Sequence, residues 1–132
     1  MTLAASPIRV SAWLAIGFGP IELAIKVVRA LHHPPWPAFA VYDYVPSLFL
    51  LSGGFFGLKY KSMERFLITG WAISFADYYH SFFVHLENLP GERRTGFASE
   101  YGMSAATGAF LAIAVVGLVA ALWPAPRDGL QR

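Results

Sequence analysis

Three acidic side chains, Glu22, Asp43 and Asp77, lie inside long apolar segments of this sequence, and Lys26 and His80 follow two of them closely. A carboxylate at the centre of a bilayer costs about 2.5–3.5 kcal/mol on insertion scales, so such groups face one another, water or a ligand. Glu22 and Lys26 are spaced i,i+4, the favourable order for an ion pair on one helix face. In its plainest form that pair only neutralises Glu22. Asp77 and His80 are spaced i,i+3 and share a face with Ser74 and Ser81. An aspartate beside a histidine orients the ring as a proton carrier. The chemistry these residues permit is therefore proton transfer, with Asp77 or Glu22 as base and His80 as acid or shuttle.

The second apolar segment carries Tyr42-Asp43-Tyr44-Val45-Pro46. Pro46 has no amide hydrogen, so the carbonyl of Tyr42 loses its helical donor beside Asp43. Ser47 and Gly54 continue the same face inward. Together with Lys26, Tyr78 and Ser81, the residues Tyr42, Asp43 and Tyr44 form the expected ligand-binding set. The bland alternative places Asp43 at the interface, hydrated, with its tyrosines as belt residues. The Asp77-x-x-His80 spacing is also that of a metal half-site in helical bundles. A full site needs further acids from other helices, and no metal or cofactor is assigned. His85 and Glu87 fall at the outer edge and are expected to meet water.

The elements that must position these groups are helices. The chain has 132 residues, 56% of them hydrophobic and 14% charged, with 11 Phe, 6 Tyr and 4 Trp. Mean hydropathy is +0.50. Soluble domains carry about 25% charge, so this composition points to a membrane chain. Four stretches, 11–30, 38–58, 63–84 and 103–123, have the roughly 20 residues a bilayer crossing needs. They predict an all-α, integral membrane four-helix bundle, one domain over 1–132 with a loose tail at 124–132. Glu22 and Lys26 interrupt the first stretch and no small-residue cleavage site follows it, which favours a retained helix over a signal peptide. The connections are His32-His33-Pro34-Pro35-Trp36-Pro37, Lys59-Tyr60-Lys61, and a longer one opened by Leu89-Pro90-Gly91-Glu92-Arg93-Arg94.

Four crossings put both termini on one side. Arg9, Lys59, Lys61, Arg65, Arg127 and Arg132 then oppose Lys26, Arg29, Arg93 and Arg94. The positive-inside rule makes the first side cytoplasmic, in a bacterial inner membrane. At a rise of about 1.5 Å per residue, Glu22, Asp43 and Asp77 all fall in the outer half. The last stretch has no charge between Ser104 and Leu122, and Ala105, Ala109, Gly117 and Ala121 recur at multiples of four. Such a small-residue stripe suits close helix packing, within the chain or in a homo-oligomer.

Several classes are excluded. The small basic excess is scattered over segment ends and forms no nucleic-acid patch. There are no cysteines for disulfides or thiolate metal sites. No phosphate-binding loop, G-x-S-x-G elbow or H-E-x-x-H motif is present. Two classes remain, with a third beside them. The first is a bundle that binds, and as an enzyme acts by acid-base chemistry on, a small amphipathic molecule such as a lipid, isoprenoid or quinone. The second is a non-catalytic accessory or assembly subunit of a larger membrane complex. The third is a proton or cation conduit. The layout of four short-looped spans is similar to that of compact bacterial membrane families such as the DoxX-like group and the sterol-isomerase type. That similarity covers layout alone.

Overall fold

The computed structural model describes residues 6–32, 36–96 and 98–123, without the side chains of 38–40. Four α-helices account for nearly all of them: α1 (Pro7–His32), α2 (Pro37–Gly57), α3 (Glu64–Asn88) and α4 (Glu100–Leu122). Short 3₁₀ turns at Lys61–Met63 and Leu89–Gly91 precede α3 and follow it. No strand occurs among the described residues. His33-Pro34-Pro35 and the expected loose tail at 124–132 lie outside them.

Local chemistry explains the helix ends. Pro37 occupies the first turn of α2, where a missing amide donor has no cost. Ser99 caps α4, its hydroxyl accepting from the Gly102 amide at 3.1 Å. That cap starts the helix at Glu100, earlier than the apolar run alone suggests. Gly96, with φ +92°, supplies the left-handed turn that leads into it.

Successive helices are antiparallel and pack in a ring, with α1 also closing on α4. Glycines set the closest approaches. A side chain at Gly53 would meet the backbone of Leu67, and one at Gly70 would meet the backbone of Leu50. Gly54 faces Ala12, Ala15 and Ile16 of α1, and Gly19 faces Leu51 of α2. On α4, Gly117 receives the indole of Trp71, which is fully buried. Ser11 completes that junction. It donates to the Gly117 carbonyl at 2.8 Å and accepts from the Trp71 indole at 2.9 Å, so three helices meet at one hydroxyl.

The buried face of α4 is Ser104, Thr107, Ala114, Gly117 and Ala121, while Ala105 and Ala109 are exposed. The expected stripe therefore holds only in its lower half. A period of four drifts round a helix of 3.6 residues per turn, so its upper members leave the interface.

One helix among those described, α4, is long and apolar enough to cross a membrane by length and composition. Charges within α1 and α3, and Asp43 with Pro46 in α2, lower the hydropathy of the other three.

The glycine contacts make a paired prediction. Gly117→Ala places a methyl on the Trp71 ring and is expected to cost about 1–3 kcal/mol through overpacking. Gly17→Ala meets open space on an exposed helix face and is expected to gain about 0.5–1 kcal/mol. Thermal denaturation of the two variants beside the parent checks the contrast.

Candidate functional site

Glu22 is fully buried, and the helices around it supply its partners. Lys26, one turn along α1, brings its ammonium to 3.2 Å from Oε1. From α3, Ser74 donates to the same oxygen at 3.5 Å and Tyr78 at 3.3 Å. Lys26 also lies 3.5 Å from Oδ2 of Asp77. The ammonium thus stands between two carboxylates, one sealed inside the bundle and one whose side chain is 32% exposed. All the donors converge on Oε1. The other oxygen, Oε2, is buried with no hydrogen-bond partner.

An aromatic cluster packs beside this polar centre. Phe18, one turn before Glu22, stacks on Trp71 at 5.7 Å between ring centroids and meets Phe110 edge-on at 5.4 Å. Tyr78 meets Phe110 at 5.3 Å, with its hydroxyl left free to reach Glu22. The rings exclude water from one side of the carboxylate, which strengthens every electrostatic contact it makes. Burying a charge this completely is tolerable only with such pairing.

The residues expected to act together divide into two groups. Glu22, Lys26, Asp77 and Tyr78 meet at one centre. His80 is exposed on the outside of α3, and the Asp77 carboxylate turns to Lys26. Ser81 is half-buried and Tyr42 exposed. Asp43 and Tyr44 are half-buried on α2, outside the ion pairs that Lys26 makes. The separation has a simple geometric source. An i,i+3 step turns a helix by 300°, so Asp77 and His80 lie 60° apart, and the diagonal approach of α1 favours the aspartate. No three His, Cys, Asp or Glu side chains among the described residues are grouped so as to hold a metal ion.

A second polar cluster fastens the α3–α4 connection. Glu92 accepts from the backbone amides of Arg94 and Glu100, both at 2.6 Å, and from the Arg94 guanidinium. Glu100 in turn meets His85 at 2.5 Å and Arg94 at 3.6 Å. His85 therefore has a carboxylate partner where water was expected. Backbone amides aimed at Glu92, with Arg94 beside it, hold its carboxyl down at about 2. Nothing in the spacing of 85, 92, 94 and 100 marks this cluster, because an irregular turn brings the four together.

An apolar surface groove lies elsewhere. About 430 Å³ opens on the surface between the start of α1 and the end of α4, lined by Pro7, Val10, Val115, Val116, Val119, Ala120 and Trp123. Its lining has no group suited to catalysis.

Two outcomes test the clusters. Lys26→Met leaves Glu22 buried without its ammonium and is expected to cost about 3–5 kcal/mol. Adding Glu22→Gln to that variant should recover much of the loss in a denaturation series. A carboxyl held low contributes stability above its ordinary range, and that contribution disappears as pH falls through the folded value. Acidification from about pH 5 to pH 2 should therefore loosen the 89–99 connection, read by amide exchange in Arg94 and Glu100, and Glu92→Gln should remove this dependence.

No family model, curated protein or solved structure matches this chain.

Proposed function

We propose that this chain is a small integral membrane protein whose Glu22–Lys26–Asp77 centre binds the polar head of an amphipathic, lipid-like molecule. Membrane residence is supported by an inverted distribution of side chains. The buried polar set is Ser11, Glu22, Ser47, Ser74, Ser99, Ser104 and Thr107. The outside of the helices carries large apolar residues such as Ile21, Ile25, Leu48, Phe83 and Val116. An aqueous surface seldom tolerates so much contiguous apolar area, whereas lipid is its natural solvent. In this reading all four helices cross the bilayer, and both termini face the cytoplasm.

The observation that carries the binding reading is the charge chain itself. It starts at the partly exposed Asp77 carboxylate, passes through the Lys26 ammonium and ends on the sealed carboxylate of Glu22. A head group arriving at Asp77 meets an ammonium and a carboxylate together, and Val84, two turns along the same face of α3, offers exposed apolar surface to a hydrocarbon tail. Small-molecule sites combine apolar walls with a few convergent polar groups in this way. If catalysis follows binding, Asp77 is the group placed to take or give a proton at the rim.

Native mass spectrometry of the protein purified in mild detergent tests this. A retained lipid-like mass is expected on the parent and is expected to be reduced at least tenfold on Asp77→Asn, with the variant still folded. A folded parent that never retains such a mass, together with variants that unfold outright, would make the centre a structural lock. The chain would then be better read as an accessory subunit.

A further inference from the structure

We infer that a monovalent cation binds between α1 and α2, on the carboxylate oxygen of Glu22 that receives no hydrogen bond. Two buried polar atoms lead to this site. Glu22 Oε2 and Ser47 Oγ both lack a hydrogen-bond partner, and both residues are fully buried.

The packing of α1 on α2 sets them opposite each other. A side chain at Gly54 would lie 3.3 Å from Cβ of Ala15, so those two positions face across the interface. Seven residues make nearly two helical turns. Glu22 is therefore on the α1 face that carries Ala15, and Ser47 is on the α2 face that carries Gly54. Because the helices are antiparallel, moving two turns along each from that contact brings Glu22 to the level of Ser47. Gly19 against Leu51 marks the same register halfway.

A carboxylate oxygen and a hydroxyl oxygen, both out of water, offer lone pairs that no donor reaches with hydrogen-bond geometry, the Lys26 ammonium beside them included. Oxygen ligands of this kind suit hard cations. A single carboxylate oxygen among them suits one positive charge better than two.

The charge count agrees. The same shift of eleven residues from Ala15 and Gly54 that reaches Lys26 on α1 reaches Asp43 on α2. Among the buried and half-buried side chains at this level, Glu22, Asp43 and Asp77 stand with the Lys26 ammonium, while Arg29, one turn further along α1, is exposed. Lys26 neutralises one of the three, and its place on Oε1 leaves Oε2 for a second cation.

The experiment is thermal denaturation of the purified protein in sodium, potassium or choline chloride at one ionic strength. Choline, a bulky quaternary ammonium that carboxylate and hydroxyl oxygens cannot coordinate closely, serves as the blank. A saturable rise in Tm of several degrees with sodium or potassium over choline is expected. Ser47→Ala should keep the choline Tm, since it removes a hydroxyl that has no partner, and should weaken the cation response at least tenfold. Glu22→Gln should abolish it. Equal Tm in all three salts would overturn the inference and leave the site to water. A Ser47→Ala variant that loses equal stability in every salt would overturn it too, by making the hydroxyl a structural contact. No lipid-like ligand is needed in any arm, so the result stands apart from the proposed function.

Discussion

A carboxylate withdrawn completely from solvent governs the middle of this bundle. Glu22 has no exposed surface, and an ion of that size is tolerated inside a protein only when opposite charge and hydrogen-bond donors surround it. α1 can supply the charge from its own next turn, through Lys26. It cannot supply the neutral donors, because side chains on one helix face point away from their own axis. Ser74 and Tyr78 of α3 provide them, and α1 and α3 are the diagonal pair of the ring. The requirement of a single charge therefore adds a polar tie across the diagonal, beside the Ser11–Trp71 hydrogen bond and the Phe18–Trp71 stack.

That diagonal approach depends on how little space the intervening helices occupy. Gly53, Gly54 and Gly70 bring α2 close to both of its neighbours, and Gly117 lets Trp71 lie flat against α4. Ser11 anchors the indole nitrogen from α1. The apolar half of the core and the polar half are thus parts of one packing solution. Trp71 fills the lower interior, and Phe18, Tyr78 and Phe110 shield the carboxylate above it. Close backbone packing and shared hydrogen bonds hold the helices to one another.

Much of this was legible in the residues. Four helices followed from the length of the apolar runs and from prolines and glycines between them. The Glu22–Lys26 contact followed from an i,i+4 spacing, which any straight helix turns into proximity. The spacing of Asp77 and His80 promised a comparable pair and was misleading, since the competing partner sits on another helix. The alanines at 105 and 109 misled for a related reason. A periodic pattern says which positions share a face, and only the neighbouring helices decide which face is inside. His85, Glu92, Arg94 and Glu100 were not legible as a cluster at all, because they are joined by an irregular connection with no period to read.

Sequence by itself determined the class of the molecule: an all-α chain, rich in apolar residues, with acids placed inside its helices and no cysteine. Those properties depend on composition and on local repeats, which a helix expresses whatever lies next to it. Tertiary structure alone decided that Lys26 serves two carboxylates, that one oxygen of Glu22 receives every donor while the other receives none, and that His80 stands outside. Each of those outcomes is fixed by the rotation and register of one helix against another, and these are set by where glycines allow backbones to touch.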